Sequence, residues 1–236
     1  MKIIAIMSCK GGVGKSTVTV NIARALYAKK YKVGILDGDV TSPSIAKVLN
    51  IECSKVKVGK TLVEPLTTKE GIKLFSTSLL SGDESIPIMF TGNKKRAVIE
   101  QFVRKINWGD IDYLLIDLAP GVAEETIEII DVFKKEISGV VMVTTPSRLS
   151  INSVRKLLRL CEKKDMKVYG VVSNMTGIVC PHCNNMINVL GSYGAVSDMC
   201  KEFKLNILAV VPLVPEVEIR PFKVINYFNW VEKVLR

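Results

Sequence analysis

The run Cys9-Lys10-Gly11-Gly12-Val13-Gly14-Lys15-Ser16-Thr17 has the composition of a loop that wraps an anion. Glycines let the backbone curl so that several N–H groups face inward onto a phosphate. A helix starting here adds its positive N-terminal end. Lys15 supplies a charge to the β- and γ-phosphates, and the Ser16 hydroxyl is a ligand for Mg²⁺. The backbone from Gly11 through Gly12, Val13, Gly14, Lys15 and Ser16 to Thr17 is the expected cradle. The strict pattern G-x-x-x-x-G-K-[ST] fails at one residue, because Cys9 stands where the first glycine belongs. Lys10 is an extra lysine in the loop.

Two further stretches supply acids. Ile35-Leu36-Asp37-Gly38-Asp39 ends an apolar run with two carboxylates on one side of a turn, and Tyr113–Leu118 carries Asp117 ahead of Ala119-Pro120-Gly121. Asp117 can hold a Mg²⁺-bound water, and the glycine N–H can sense a γ-phosphate.

A second chemistry is written in Cys180-Pro181-His182-Cys183. A C-x-x-C turn lets two thiolates face one soft metal. One pair is half of a tetrahedral site, and Cys9, Cys53, Cys161 and Cys200 stand alone. A second copy of the chain would supply the other pair across a two-fold axis. Four thiolates suit a [4Fe–4S] cluster or Zn²⁺, and spacing does not separate the two. His182, the single histidine, reads as a spacer. A thioredoxin-like dithiol would need a helix to begin at the pair, whereas Asn184-Asn185 follows it.

The elements that must position these residues are short apolar runs alternating with helical patterns. Strands are expected at Lys2–Met7, Lys32–Leu36, Lys73–Ser76, Tyr113–Leu118, Gly139–Thr144, Lys167–Val172 and Ile207–Val211. Helices are expected at Ser16–Lys30, Asn93–Ile106, Glu124–Phe133, Ser150–Lys164 and Val224–Leu235. Continuously apolar strands alternating with helices predict a doubly wound α/β fold, a mostly parallel sheet covered on both faces. Such sheets carry their chemistry at the carboxyl ends of the strands. No linker divides the 236 residues, so residues 1–236 read as one domain.

At 48% hydrophobic and 24% charged residues, the chain is neither disordered nor low-complexity. Six cysteines in a chain this long do not describe a small disulfide-stapled domain. Val168–Ser197, the longest uncharged stretch, is interrupted by Asn, Ser, Gly and Pro and is not a membrane span. The first apolar run is too short for a signal core, and a cytoplasmic location is expected. The net charge of +10 gathers at Lys55/Lys57/Lys60, at Lys94-Lys95-Arg96, and at Arg155-Lys156 with Arg159, Lys163, Lys164 and Lys167. No aromatics are interleaved as in a single-strand binder, so these clusters read as solvated faces and nucleic acid is not an expected partner.

The loop and acids resemble the deviant-Walker-A ATPases that include MinD, ParA and the nitrogenase iron protein. The resemblance implies an ATP-sandwich homodimer with slow hydrolysis, in which Lys10 reaches the partner's nucleotide and Asp39 positions or activates the attacking water. With Ser42-Pro43-Ser44, Phe90-Thr91-Gly92, Asn107–Tyr113, Val143–Pro146, Val171–Met175, the cysteine pair and Pro212–Glu216, the chain is similar to the Mrp/ApbC branch, the iron–sulfur cluster carrier ATPases. That likeness implies a labile bridging [4Fe–4S] cluster held by Cys180 and Cys183 and passed to recipient apoproteins. It also implies an adenine contact at Asn174 and more in the segment that Pro212 and Leu213 open. Ser42, Ala119 and Thr91 depart from the Gly, Pro and Arg usual there. The rival reading is a positioning ATPase whose basic helix meets DNA or whose C-terminal helix meets a membrane; the cysteine pair has no role in it. A plain zinc-bridged dimer ranks third.

Overall fold

A computed structural model describes residues 1–51, 62–81, 104–213 and 225–235. Its centre is an eight-stranded sheet. In chain order the strands are β1 (Lys2–Met7), β2 (Val33–Gly38), β3 (Leu66–Thr67), β4 (Lys73–Phe75), β5 (Tyr113–Leu118), β6 (Ile137–Thr144) and β7 (Val168–Ser173), and after a separate hairpin, β10 (Ile207–Val210). Their order across the sheet is β10-β7-β6-β1-β5-β2-β4-β3. All pairings are parallel except β3 with β4. The expected doubly wound, mostly parallel sheet is therefore what the chain forms.

The helices are α1 (Lys15–Ala28), α2 (Ile45–Val48), α3 (Ser78–Ser81), α4 (Glu124–Val132), α5 (Arg148–Lys163), α6 (Tyr193–Glu202) and α7 (Val231–Leu235). They cover the sheet because β1, β2 and β5 are apolar along their length and buried on both faces, as a parallel sheet requires. Helix α1 seats Val18, Ile22, Ala25 and Leu26 in the core. Helix α5 turns Ile151, Val154, Leu157, Leu158 and Cys161 inward and its cations outward.

Several expectations need correction. The C-terminal segment is not one helix: a 3₁₀ turn over Ile225–Phe228 precedes the short α7. Phe228, Val231 and Leu235 are buried, so this end packs on the core. The helix expected at Asn93–Ile106 falls mostly outside the described residues, as do the two lysine clusters at 55–60 and 94–96. Its last residue, Ile106, is buried and bridges Val63. The hairpin β8 (Ile178–Val179) and β9 (Met186–Ile187) and helix α6 carry no strong apolar periodicity and were not expected.

The strand order decides where the chemistry lies. β1 sits between β5 and β6, and β2 lies beyond β5, so the loops leaving β1, β2 and β5 meet at one edge. Asp37 and Asp117 are direct neighbours across β2 and β5, and Asp117 pairs in register with Ile6 of β1. Two acids 80 residues apart in sequence thus stand side by side.

Candidate nucleotide site and cysteine hairpin

The loop after β1 closes over the start of α1. Gly12 and Gly14 adopt left-handed φ values of 78° and 79°, which glycine reaches without a side-chain clash. Gly14 is the N-cap of α1, so the first amides of the helix open toward the cavity above the loop. That cavity measures about 340 Å³. It is bounded by the loop from Lys10 to Thr17, by Asp39, Ser42 and Ser44 from the segment after β2, and by Pro120 after β5.

Beneath the loop lies a buried charge cluster. Lys15 Nζ is 2.9 Å from Asp117 Oδ2, with both side chains almost wholly buried. Ser16 Oγ donates to Asp117 Oδ2 at 2.7 Å, and Thr19 Oγ1 donates to Asp117 Oδ1 at 2.7 Å. Ser44 Oγ donates to Ser16 Oγ at 2.7 Å. A hydroxyl and a carboxylate this close form a hard-oxygen pair, the donor type Mg²⁺ takes. Lys15 and Ser16 are thus both anchored on Asp117.

The two acids at the end of β2 do not act as a pair. Asp37 is buried and holds the following segment: its Oδ2 accepts from the N–H groups of Ser44 and Ile45 at 3.0 and 3.1 Å and from Ser76 Oγ at 3.2 Å. Burial first, then the neighbouring Asp117 charge, pushes its carboxyl up to about 7, against the opposing pull of the Ile45 N–H and Lys15. Asp39 is only half-buried and borders the cavity. Its Oδ1 accepts from the Ser42 N–H at 2.9 Å. Only Asp39 therefore faces the space a phosphate would fill.

After β5, Gly121 donates its N–H to Ser8 O at 2.8 Å. Thr126 of α4 donates to Ala119 O at 2.9 Å, and Glu125 accepts from Thr41 at 2.5 Å. The turns after β2 and β5 are thereby linked to each other and to the base of the loop. Asn174, beyond the end of β7, is buried and donates through Nδ2 to Val13 O at 2.8 Å. Pro212 is buried and Leu213 exposed at the next strand end.

Six residues beyond Asn174, the chain reaches the cysteines. β8 and β9 pair Ile178 with Ile187 and Val179 with Met186. The turn between them is closed by Cys180 N–H to Asn185 O and Asn184 N–H to Cys180 O, both 2.9 Å. Asn184 is left-handed at φ 57°, a geometry asparagine tolerates. The C-x-x-C tip is thus a hairpin turn, not a helix start. Cys183 is exposed and Cys180 half-buried. The Cys183 and His182 N–H groups and the Cys183 thiol hold the Cys180 thiol below its ordinary range, which favours the thiolate that binds metal. In the hairpin and the residues that follow it, Val179, Met186, Ile187, Val189, Leu190 and Tyr193 are all exposed. Contiguous apolar exposure of this kind marks an interaction surface.

A family model described as the NUBPL iron-transfer P-loop NTPase, of the ParA group, matches residues 1–221. The chain belongs to this family. An iron–sulfur cluster carrier protein of Methanocaldococcus jannaschii is 39% identical over 210 residues, 89% of this chain and 72% of that protein. The cytosolic Fe–S cluster assembly factor CFD1 of Saccharomyces cerevisiae is 36% identical over 219 residues, 91% and 74% of the two chains. Among solved structures, a nucleotide-binding protein of Archaeoglobus fulgidus in complex with ADP superposes with a TM-score of 0.78 at 33% identity, covering 98% of this chain and 88% of that one. MinD of Pyrococcus horikoshii, at 20% identity and TM-score 0.70, covering 99% and 95%, shares the fold.

In this chain the loop, Asp39 and Asp117 converge on one edge of the sheet, with Asn174 against the loop. Reading the residues in order missed Thr19 and Ser44. Thr19 lies three residues after Ser16 on the same helical face, a spacing that would have placed both hydroxyls on one carboxylate. Ser44 has no such signal, because Asp37 folds it back. Among the described cysteines, Cys161 and Cys200 are buried and burial pushes each thiol up to about 11, while Cys9 is half-buried in the loop. On α5, Arg155 is occupied by Glu202, and just past its end Lys164 pairs with Asp131, which leaves less of that face for DNA. Among the described residues no helix is long and apolar enough to cross a membrane.

Proposed function

We propose that this chain is one 236-residue ATPase domain of an ATP-dependent iron–sulfur cluster carrier. Two copies bind Mg·ATP, hydrolyse it slowly, and hold a labile [4Fe–4S] cluster that passes to recipient apoproteins in the cytoplasm. The cluster is cargo, bridged by Cys180 and Cys183 of each copy. The observation that carries this reading is the cysteine hairpin: two thiols in the turn between two short strands whose apolar side chains are exposed. Among the described residues no group of three or more His, Cys, Asp or Glu side chains converges as a metal cage. Two thiolates are half of what a cubane or a tetrahedral Zn²⁺ takes, so a second copy completes the site.

At the nucleotide, the loop amides and Lys15 hold the phosphates, and Ser16 with Asp117 holds Mg²⁺. When bound there, Mg²⁺ would supply positive charge to the β- and γ-phosphates. Asp39, half-buried beside the phosphate space, orients the attacking water. Lys10, on the rim of the cavity, crosses to the partner's nucleotide and stabilises charge as it develops. Asn174 uses its amide edge, and Pro212 and Leu213 their apolar faces, for the adenine. The names of the relatives, cluster carrier and cluster assembly factor, support the cargo assignment.

Anaerobic reconstitution with iron and sulfide tests it. Wild type is expected to bind both and show thiolate-to-iron absorption, with Cys180→Ser losing them. A wild type that takes up no more iron than Cys180→Ser, or only zinc, sinks the reading.

A further inference from the structure

The segment from Asn174 to Cys180 joins the nucleotide loop to the cysteines, and almost every residue of it is fastened. Asn174 donates its N–H to Thr144 O at 2.7 Å and its side-chain amide to Val13 O at 2.8 Å. The fit against the loop is tight: a Cβ at Gly14 would lie 2.3 Å from Asn174 Nδ2. Met175 follows in the left-handed region at φ 53°. Thr176 donates its N–H to Val211 O at 3.0 Å and its hydroxyl to Ser173 O at 3.0 Å. Gly177 O accepts from the Leu213 N–H at 2.8 Å. Gly177 lies directly under the second hairpin strand, where a Cβ would fall 2.5 Å from Ile187 O. Cys180 is then closed into the hairpin through Asn185.

We propose that this strap makes Asn174 the positioning residue that reports occupancy of the phosphate loop to the cysteine hairpin, with Gly177 as its contact under the hairpin. This deepens the carrier reading and rests on it for the meaning of the hairpin, though not for the coupling itself. The physical reason is stiffness over a short distance. Six residues span at most about 20 Å when extended, and this strap has little slack to absorb a shift. Val13 belongs to the loop that must wrap a phosphate, so any displacement of its carbonyl is felt first by Asn174. Leu213 joins the strap at Gly177, so a nucleotide base resting near Pro212 and Leu213 would bias the same element. A ligand moves such an element only by its differential affinity for two arrangements.

The test reads the thiols and needs no metal. Iodoacetamide alkylation of Cys180 and Cys183 in the full chain is followed by peptide mass spectrometry, with and without Mg·ATP at concentrations that saturate each variant. In wild type, nucleotide should change the Cys183 rate about fivefold or more, the lower end of ordinary coupling. Asn174→Ala should bring the ratio within about twofold of unity even at saturation, and Gly177→Ala should do so with its ATP affinity unchanged. A wild-type rate indifferent to Mg·ATP overturns the proposal, as does a Gly177→Ala variant that keeps the full ratio. If Asn174→Ala no longer binds ATP, Gly177→Ala decides alone. Failed iron reconstitution with this coupling intact would count against the carrier reading and leave the strap standing.

Discussion

The phosphate loop and the cysteine hairpin sit six residues apart through Asn174, yet they are built on opposite principles. The first is assembled from the ends of β1, β2 and β5, buries a lysine against a carboxylate, and satisfies Asp117 with two hydroxyls as well. The second rests on two strands of two residues each and leaves its chemistry and its apolar flanks in solvent. A buried charge cluster must be complete within one chain, because a missing partner leaves an uncompensated charge. An exposed thiol pair carries no such penalty and can await its other half. The nucleotide site should therefore be coupled to folding and the cysteine site should not.

The largest expected effect that tests this contrast is Lys15→Ala. It leaves Asp117 and Asp37 buried with no cation, and should lower stability by about 3–5 kcal/mol and abolish ATP binding; thermal melts and calorimetric titration read the two losses. A variant that melts like wild type would mean the cluster is not structural. Next is Cys183→Ser. Iron and sulfide uptake should vanish while the melting temperature and ATP affinity stay at wild-type values. A destabilised Cys183→Ser would put the hairpin among the folding elements after all.

Thr19→Val removes one hydroxyl from a charged acceptor, which should cost about 1.5–3 kcal/mol, seen as a lower denaturation midpoint with unchanged slope. A separate effect is one of pH. Burial raises the Asp37 carboxyl from 3.8 to about 7, so between those values the folded protein holds a proton that the unfolded chain has lost. Stability from this group is then fully present below about pH 4, falls as pH rises toward 7, and is level above. Asp37→Asn cannot titrate, so the wild-type melting temperature should fall relative to this variant across that window. A constant difference from pH 4 to 8 would show that Asp37 titrates normally.

Much of the nucleotide site was legible in sequence because local composition encodes it. The glycines of the loop, Lys15 and Ser16 lie on consecutive residues, and apolar strands announce where Asp39 and Asp117 emerge. The division of labour between Asp37 and Asp39 was not legible in the residue types, and only the family resemblance singled out Asp39. Two acids two residues apart look equivalent until the chain folds back and offers Asp37 the amides of Ser44 and Ile45. The hairpin around the cysteines was equally hidden, since two-residue strands with exposed apolar side chains have no period to detect. Asn174 showed its type in the sequence but not its hold on Val13 O.

Taken alone, the amino-acid sequence determined the fold class, the phosphate loop and the existence of a two-thiol motif, because each is set by residue types within a few positions of one another. Only the tertiary structure decided which acid is buried and which faces the cavity, that Thr19 and Ser44 complete the charge cluster, and that the seven residues from Asn174 to Cys180 join the phosphate loop to the cysteines. Those depend on strand order, which brings β2, β5 and β7 around β1. A one-dimensional pattern carries no term for contacts between residues about a hundred or more positions apart, such as Ser16 with Asp117 and Val13 with Asn174.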